Sequence, residues 1–477
     1  MPVARALGPN SLDDPTRHSV KKMEEKATQL RRELTAGQMA MVAVGGAIGT
    51  GLLLGSGAAV QTAGPAIILT YVLGALVAFA VGMALGEMSS LHPAAGSFGI
   101  YAEMYLSQWA GFVSRYGYWF CLLFAISADL VASGIYMRYW FPHVPALVWV
   151  AGLAVLLLFI NFLNVYDFGR FESWFAMIKV VVIVAFILIG AALLFGGRAP
   201  AHYTNDGGFL PRGAAAPILA LAFVLFNFQG TESVAICSGE ARSPRDIVRA
   251  TFLTVIVLTF IYVCASAVLV GIVPWNAVGV TGSPFVTVFQ VAHIPAISAV
   301  MNFVVLTAAL SGANALLYVS SRMLYSLAES GYAHPTLARL SSTGSPRNAL
   351  LVSTLAIVAA LAAQYIIPKD AFLFLFGASL VGGMLAWCIA LASHVAMRRK
   401  LSPAEIAALP MRAPGGAAMS IVAFALIVVA IGATWWVPSL RITVIGAAPL
   451  ILLLTVFYFY FAARKKRSRE KMEKVPA

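Results

Sequence analysis

Gly45-Gly46-Ala47-Ile48-Gly49-Thr50-Gly51, followed at once by Gly55, Ser56 and Gly57, lies inside an apolar run from Met39 to Val60. That run is long enough to span a bilayer, which takes about 20 predominantly apolar residues. A spanning helix must satisfy its own backbone, because hydrocarbon offers no partner for a free N–H or C=O. Glycine costs about 1 kcal/mol against alanine in a helix interior, so this density of glycines needs a physical reason. One is close helix–helix packing through small residues, for which Gly45/Gly49 and Gly51/Gly55 have the four-residue spacing. The other is a helix broken within the bilayer, whose freed N–H and C=O groups face a cavity and hold a charged solute. The stretch by itself is compatible with both.

The 477-residue chain is 60% hydrophobic and only 11% charged. Soluble proteins carry about 25% charge, so the composition is that of an integral membrane protein. Residues 1–37 are polar, with no apolar core after a short basic start, and no cleaved signal peptide is expected. Cys121, Cys237, Cys264 and Cys388 fall in apolar segments at wide spacings. They suit buried small side chains rather than a disulfide framework or a zinc site, and neither a metal nor a cofactor is expected. The net charge of +13 invites a nucleic-acid reading, but its distribution argues against one. Basic residues sit in the tails and in alternate loops, as cytoplasmic segments of membrane proteins require.

Taken in order, the apolar runs give about twelve spans: 38–60, 65–88, 111–138, 146–165, 172–196, 214–238, 248–273, 297–328, 348–367, 371–397, 417–438 and 441–463. With both termini cytoplasmic, the N-terminal basic residues and Arg464-Lys465-Lys466-Arg467 lie inside. Only Arg138, Arg198, Arg212, Lys369 and Arg441 remain outside. The segment after His92, with the amphipathic Tyr101–Leu106, is too short and polar to span and is expected to lie along the interface.

Several spans carry groups that a lipid-facing helix would not tolerate. Asp129 lies deep in the third span and Lys179 about two turns into the fifth, where Glu172 shares its helix face. Ionisable residues within a membrane are costly and mark functional sites by default, with a structural ion pair as the plainer alternative. The sixth span contains Phe226-Asn227-Phe228-Gln229-Gly230-Thr231-Glu232-Ser233, a polar cluster around a glycine. Spans one and six hold corresponding positions if the chain is two five-helix repeats plus two further spans. Paired interruptions of this kind point to an inverted-repeat transporter with its site near the midplane.

These residues resemble the bacterial amino acid permeases of the amino acid–polyamine–organocation superfamily, the group of the GABA, phenylalanine and D-serine/D-alanine/glycine permeases. The motifs that carry the resemblance begin with Leu34-Thr35 and the glycine run. They continue with Ala63-Gly64-Pro65, Gly86-Glu87-Met88, Pro93…Gly96-Ser97, Phe141-Pro142, Glu172…Trp174-Phe175…Lys179, Gly230-Thr231-Glu232 and Ser321-Arg322-Met323-Leu324. The resemblance implies an all-α polytopic membrane protein of the 5+5 inverted-repeat fold shared with sodium-coupled neurotransmitter symporters, with helices 1 and 6 broken. The corresponding divisions are a cytoplasmic tail (1–37), repeats at 38–196 and 214–397, helices 11–12 at 417–463, and a basic tail (464–477).

The same resemblance implies the site. The N–H groups of Gly49, Thr50 and Gly51, with the Thr50 hydroxyl, would receive an amino acid's carboxylate. Carbonyls of Ala47, Phe226, Asn227 and Gln229 would take its ammonium, next to Gly230. Phe226 would be an aromatic lid and Glu232 a gate. Asn227 and Gln229 depart from the family's usual apolar residues or glycine, which leaves the preferred amino acid open. Lys179 falls where sodium-driven relatives hold a cation, so a proton is the expected coupling ion. A buried lysine loses its proton more readily when desolvated and less readily beside a carboxylate, and Asp129 is the candidate neighbour. The partners implied are an amino acid, a proton and the lipid bilayer of the cytoplasmic membrane, with no nucleic acid. The alternatives are amino acid/metabolite exchange on the same fold and an amino acid sensor. A membrane enzyme is disfavoured, because the loops offer no cluster of catalytic or metal-binding residues.

Overall fold

The computed structural model describes residues 34–92, 97–163, 168–199, 201–236, 238, 241–341 and 346–473. Among these, the only β-type pairing is a bridge between Leu34 and Ala241; the rest is helix and connecting turn. The helices are α1 (Ala36–Ala47), α2 (Ser56–Ala63), α3 (Ile67–Leu91), α4 (Ser97–Tyr105), α5 (Gln108–Met137), α6 (Ala146–Leu163) and α7 (Phe168–Phe195). After these come α8 (Ala216–Leu219), α9 (Leu221–Phe228), α10 (Ser233–Ile236), α11 (Pro244–Ile272), α12 (Pro284–Val291) and α13 (Pro295–Glu329). The chain closes with α14 (Arg347–Ser353), α15 (Leu355–Ile366), α16 (Ala371–Lys400), α17 (Pro403–Ala407), α18 (Gly416–Ala433) and α19 (Arg441–Glu473).

Sequence signals at the helix ends account for several of these boundaries. Thr35 and Gln38 form a reciprocal capping box at the start of α1, which satisfies two otherwise free backbone donors. Ser107 caps α5 through the N–H of Ala110, and Ser243 caps α11 with Pro244 in the first turn. Gly64, at φ +64°, closes α2 before Pro65. The first helix thus begins slightly ahead of the expected residue 38. The last one runs from Arg441 through Arg464 to Glu473, into the stretch expected as a basic tail.

Nine segments of the described residues are long and apolar enough to cross a membrane, and each expected span contains helix. The first of the nine, Gly51–Leu91, contains both the second half of the first expected span and the whole of the second. Helices α5 and α16 form the core pair. Gly382 of α16 sits so close to Gly117 of α5 that a side chain there would fall on the Gly117 carbonyl. The apolar windows of α5 and α16 are 78% buried, whereas that of Pro438–Arg464 is 11% buried. Leu452, Phe459 and Tyr460 of α19 face outward, an arrangement suited to hydrocarbon rather than water. Helix α4 packs its Phe98, Tyr101 and Ala102 inward, and Tyr101 Oη donates to the carbonyl of His92 at 2.9 Å. Pro93 and Gly96 of that connector lie outside the described residues, as does Cys237, while Cys121, Cys264 and Cys388 are free thiols.

Candidate functional site

The first break follows Ala47. Ile48 leaves the helix with φ −80° and ψ 94°, and its N–H reaches back to the carbonyl of Val44 at 3.0 Å. The chain re-enters helix through a π-turn at Gly51–Gly55, whose Leu53 carbonyl accepts the Ser283 hydroxyl at 2.7 Å. The glycines divide their work. A side chain at Gly45 would collide with Ala176 of α7, and one at Gly57 with the backbone of Gly279. Gly46 and Gly49, by contrast, have open space where a Cβ would stand. Close packing and helix interruption therefore both operate within the one run.

The second break follows Phe228. Gln229 is extended, with φ −63° and ψ 138°, and Gly230 has φ +109°, a region that residues with a Cβ rarely adopt. At Gly230 the two breaks touch: a Cβ there would come within 2.9 Å of the Ala47 nitrogen and 3.1 Å of its Cα. Beside this crossing, the Phe226 ring and the Asn227 amide lie directly over Gly51. Phe226 also stacks on Phe376 of α16, with ring centroids 4.2 Å apart.

Two tyrosines organise the crossing. The hydroxyl of Tyr262, on α11, is shared between the carbonyl of Ala47 at 3.0 Å and that of Asn227 at 2.8 Å. Asn227 Nδ2 in turn donates to the Tyr71 hydroxyl of α3 at 2.8 Å. Two of the four carbonyls expected for an ammonium thus already converge on one donor. A third, that of Phe226, accepts the N–H of Gln229 at 3.0 Å. The expectation for Thr50 also changes, because its hydroxyl donates to Asp129 Oδ1. With that proton given away, the hydroxyl cannot donate to a substrate carboxylate, and only main-chain N–H groups remain for that role.

The charged residues surround the same crossing. Asp129 is held between Thr50 and the bare backbone of Gly312 on α13. The Lys179 ammonium donates to the carbonyl of Gly45 at 3.4 Å, on the N-terminal half of the first span. The side chain of Glu172 lies outside the described residues. Glu232 is 1% exposed and accepts three neutral donors: Tyr118 Oη at 2.8 Å, the Gly230 N–H at 2.9 Å and Trp387 Nε1 at 3.3 Å. Gln229 receives the Cys121 thiol at 3.5 Å and lies against Gly383, where no side chain could be added without striking its amide.

Tyr71, Tyr118, Tyr262, Phe376 and Trp387 were not expected from the sequence. Each is an aromatic residue within an apolar run, and neither the Phe376 ring nor the hydroxyl or indole N–H of the other four has a periodicity to mark it.

The chain matches the family model described as amino acid permease over residues 38–474. It is 35% identical to an uncharacterized amino acid permease, YtnA, of Bacillus subtilis (strain 168), over 89% of this chain and 93% of that protein. It is 37% identical to the gamma-aminobutyric acid permease of the same organism, over 82% of this chain and 85% of that one. With the aromatic amino acid transport protein AroP of Escherichia coli (strain K12) it shares 38% identity over 79% and 84% of the two chains. Broken helices meeting in an apolar bundle and matches of this extent agree, and the chain belongs to the amino acid permease family of multi-pass membrane proteins.

Proposed function

We propose that this protein imports an amino acid across the cytoplasmic membrane by alternating access, with a proton as coupling ion and both termini on the cytoplasmic side. The observation that carries the reading is the contact between Gly230 and Ala47, where two interrupted helices meet. Main-chain groups freed at such a point suit a zwitterion, since the first break offers N–H groups where its helix restarts and both breaks offer carbonyls where their helices stop. The substrate carboxylate goes to the N–H groups of Gly49, Thr50 and Gly51. There the positive end of a half-helix favours an anion by about 0.3–2 kcal/mol. The ammonium goes to the carbonyls of Ala47 and Asn227, taking over or sharing the place of the Tyr262 hydroxyl, with those of Phe226 and Gln229 beside it. Phe226 covers the carboxylate subsite, and Glu232, next to Gly230, gates it.

The bond from Lys179 to Gly45 supports a coupling role for this lysine. A charged Lys179 braces the first half-helix, and a neutral one releases it, so that proton loading and helix position rise and fall together. In this reading residues 38–196 and 214–397 are the two inverted repeats, and 417–463 flank them. The relatives carry amino acids or GABA according to their names, which supports transport rather than catalysis. The test is uptake of labelled amino acids into proteoliposomes with and without an imposed pH gradient. The expected result is accumulation that an inward proton gradient drives and a protonophore collapses. Absence of any amino acid uptake would overturn the reading, and accumulation indifferent to protons would overturn the coupling.

A further inference from the structure

Resting on that reading of the site, we infer that the transporter selects amino acids with neutral-polar or cationic side chains and rejects aliphatic and acidic ones. Asn227, Gln229 and Thr231 recognise the substrate side chain. These three residues follow one another at every second position through the second break. Asn227 is 1% and Thr231 3% exposed. Among the described residues, Asn227 Oδ1, Gln229 Nε2 and Thr231 Oγ1 are buried atoms without a hydrogen-bond partner. Twelve buried side-chain atoms of the described residues lack a hydrogen-bond partner; these three are set apart by lying within five residues at the second break, where a partner from outside the chain would sit.

The ammonium and carboxylate of a substrate do not supply that partner, because main-chain groups of the two breaks serve them. What remains for the amides and the hydroxyl is the substrate side chain. Asn227 Oδ1 lies against Gly51, and the Gln229 amide lies against Gly383, so the two amides reach from the second break to the first break and to α16. Amide groups present either a donor or an acceptor by a half-turn of the side chain, which suits a range of polar groups. Glu232 sets the sign. It follows Thr231 directly, is 1% exposed and is held by three neutral donors. A second carboxylate brought beside it would be repelled, and a cationic group would not.

Selection of this kind has a recognisable size. A pocket that senses only one missing methylene discriminates by about 10–200-fold, whereas one built to hydrogen-bond its substrate rejects an apolar analogue far more strongly. The experiment measures kcat/KM for uptake by full-length protein in proteoliposomes, using side chains matched in size: asparagine against leucine, glutamine against methionine, and lysine against norleucine. Aspartate and glutamate complete the panel. The polar member of every transported pair is expected to lead by about tenfold or more, with the acidic amino acids poorest. Gln229→Leu should narrow the lead by at least about threefold. Preference for the apolar member of any transported pair overturns the inference, as does an unchanged ratio in Gln229→Leu. Should that variant fail to reach the membrane, the ratios of the unmodified protein still decide. A protein that carries no amino acid at all would instead overturn the assignment as a permease.

Discussion

Tyr262 shows how much one hydroxyl can do where two helices are interrupted. Its single proton serves carbonyls from both breaks, those of Ala47 and Asn227, so it ties together two chain segments that have no helical bond to one another. Hydrogen bonds between membrane helices are worth about 0.6 kcal/mol on average and up to about 1.7. Tyr262→Phe should therefore cost about 1 kcal/mol in the substrate-free protein. It should also free two acceptors for an incoming ammonium. The expected outcome is a lower melting temperature without substrate and a larger rise on adding it than the unmodified protein shows. A drop that substrate does not offset would reduce Tyr262 to a packing residue. Thr50 gives the converse lesson. Its position at the first break was legible, but its hydroxyl is turned to Asp129, a partner 79 residues away that no local pattern could reveal.

At the scale of the element, the two breaks were legible because each disobeys the rule of its surroundings. Glycines crowd one apolar span, and an amide–glycine–acid cluster sits in another. Which glycine matters was not legible, since that depends on what lies opposite. Gly230 combines φ +109° with the Ala47 backbone against it. Backbone strain of this kind costs about 1–3 kcal/mol, and the clash pushes the half-helices apart. Gly230→Ala should reduce uptake by tenfold or more, on the order of 1.4 kcal/mol at the least, with the protein still present in the membrane. Gly46 has open space at its Cβ position. There alanine should recover part of the roughly 1 kcal/mol of helix propensity that glycine lacks, leaving uptake close to normal. Equal loss in both variants would show that the crossing is not special.

The whole molecule is held at a distance from the site by a second polar cluster. Glu87 of α3 is fully buried and accepts Arg398 of α16 in a bidentate pair at 2.8 and 2.6 Å, together with the N–H of Ala413. Removing Arg398 leaves the buried Glu87 with only the Ala413 N–H and His394 Nε2, 3.3 Å from its Oε1, and removing one partner of a buried pair costs about 3–5 kcal/mol. Arg398→Ala should thus lower the melting temperature sharply, and adding Glu87→Gln to it should restore part of the loss. If the double variant were worse than the single one, the charge argument would fail. The Gly86-Glu87-Met88 motif was visible in the sequence, but the partner, 311 residues further on, was not. That the chain is a series of apolar helices, and where they fall, was readable because hydrocarbon imposes a simple length and polarity rule. Which spans form the core was not, since α5, α16 and α19 are all apolar and differ only in what they pack against.

The proposed proton coupling is tested on the assembled molecule. Lys179→Ala should abolish accumulation driven by a proton gradient while exchange of labelled for unlabelled substrate continues; full accumulation by this variant would exclude the lysine from coupling. The central claim is that peptide groups at two crossing breaks hold an amino acid as a zwitterion, and a substrate-bound structure in lipid nanodiscs tests it most directly. The carboxylate is expected within about 3 Å of the N–H groups of Gly49, Thr50 and Gly51, and the ammonium on the carbonyls of Ala47 and Asn227. A substrate bound elsewhere, or helices that run unbroken through residues 48–50 and 229–232, would contradict it.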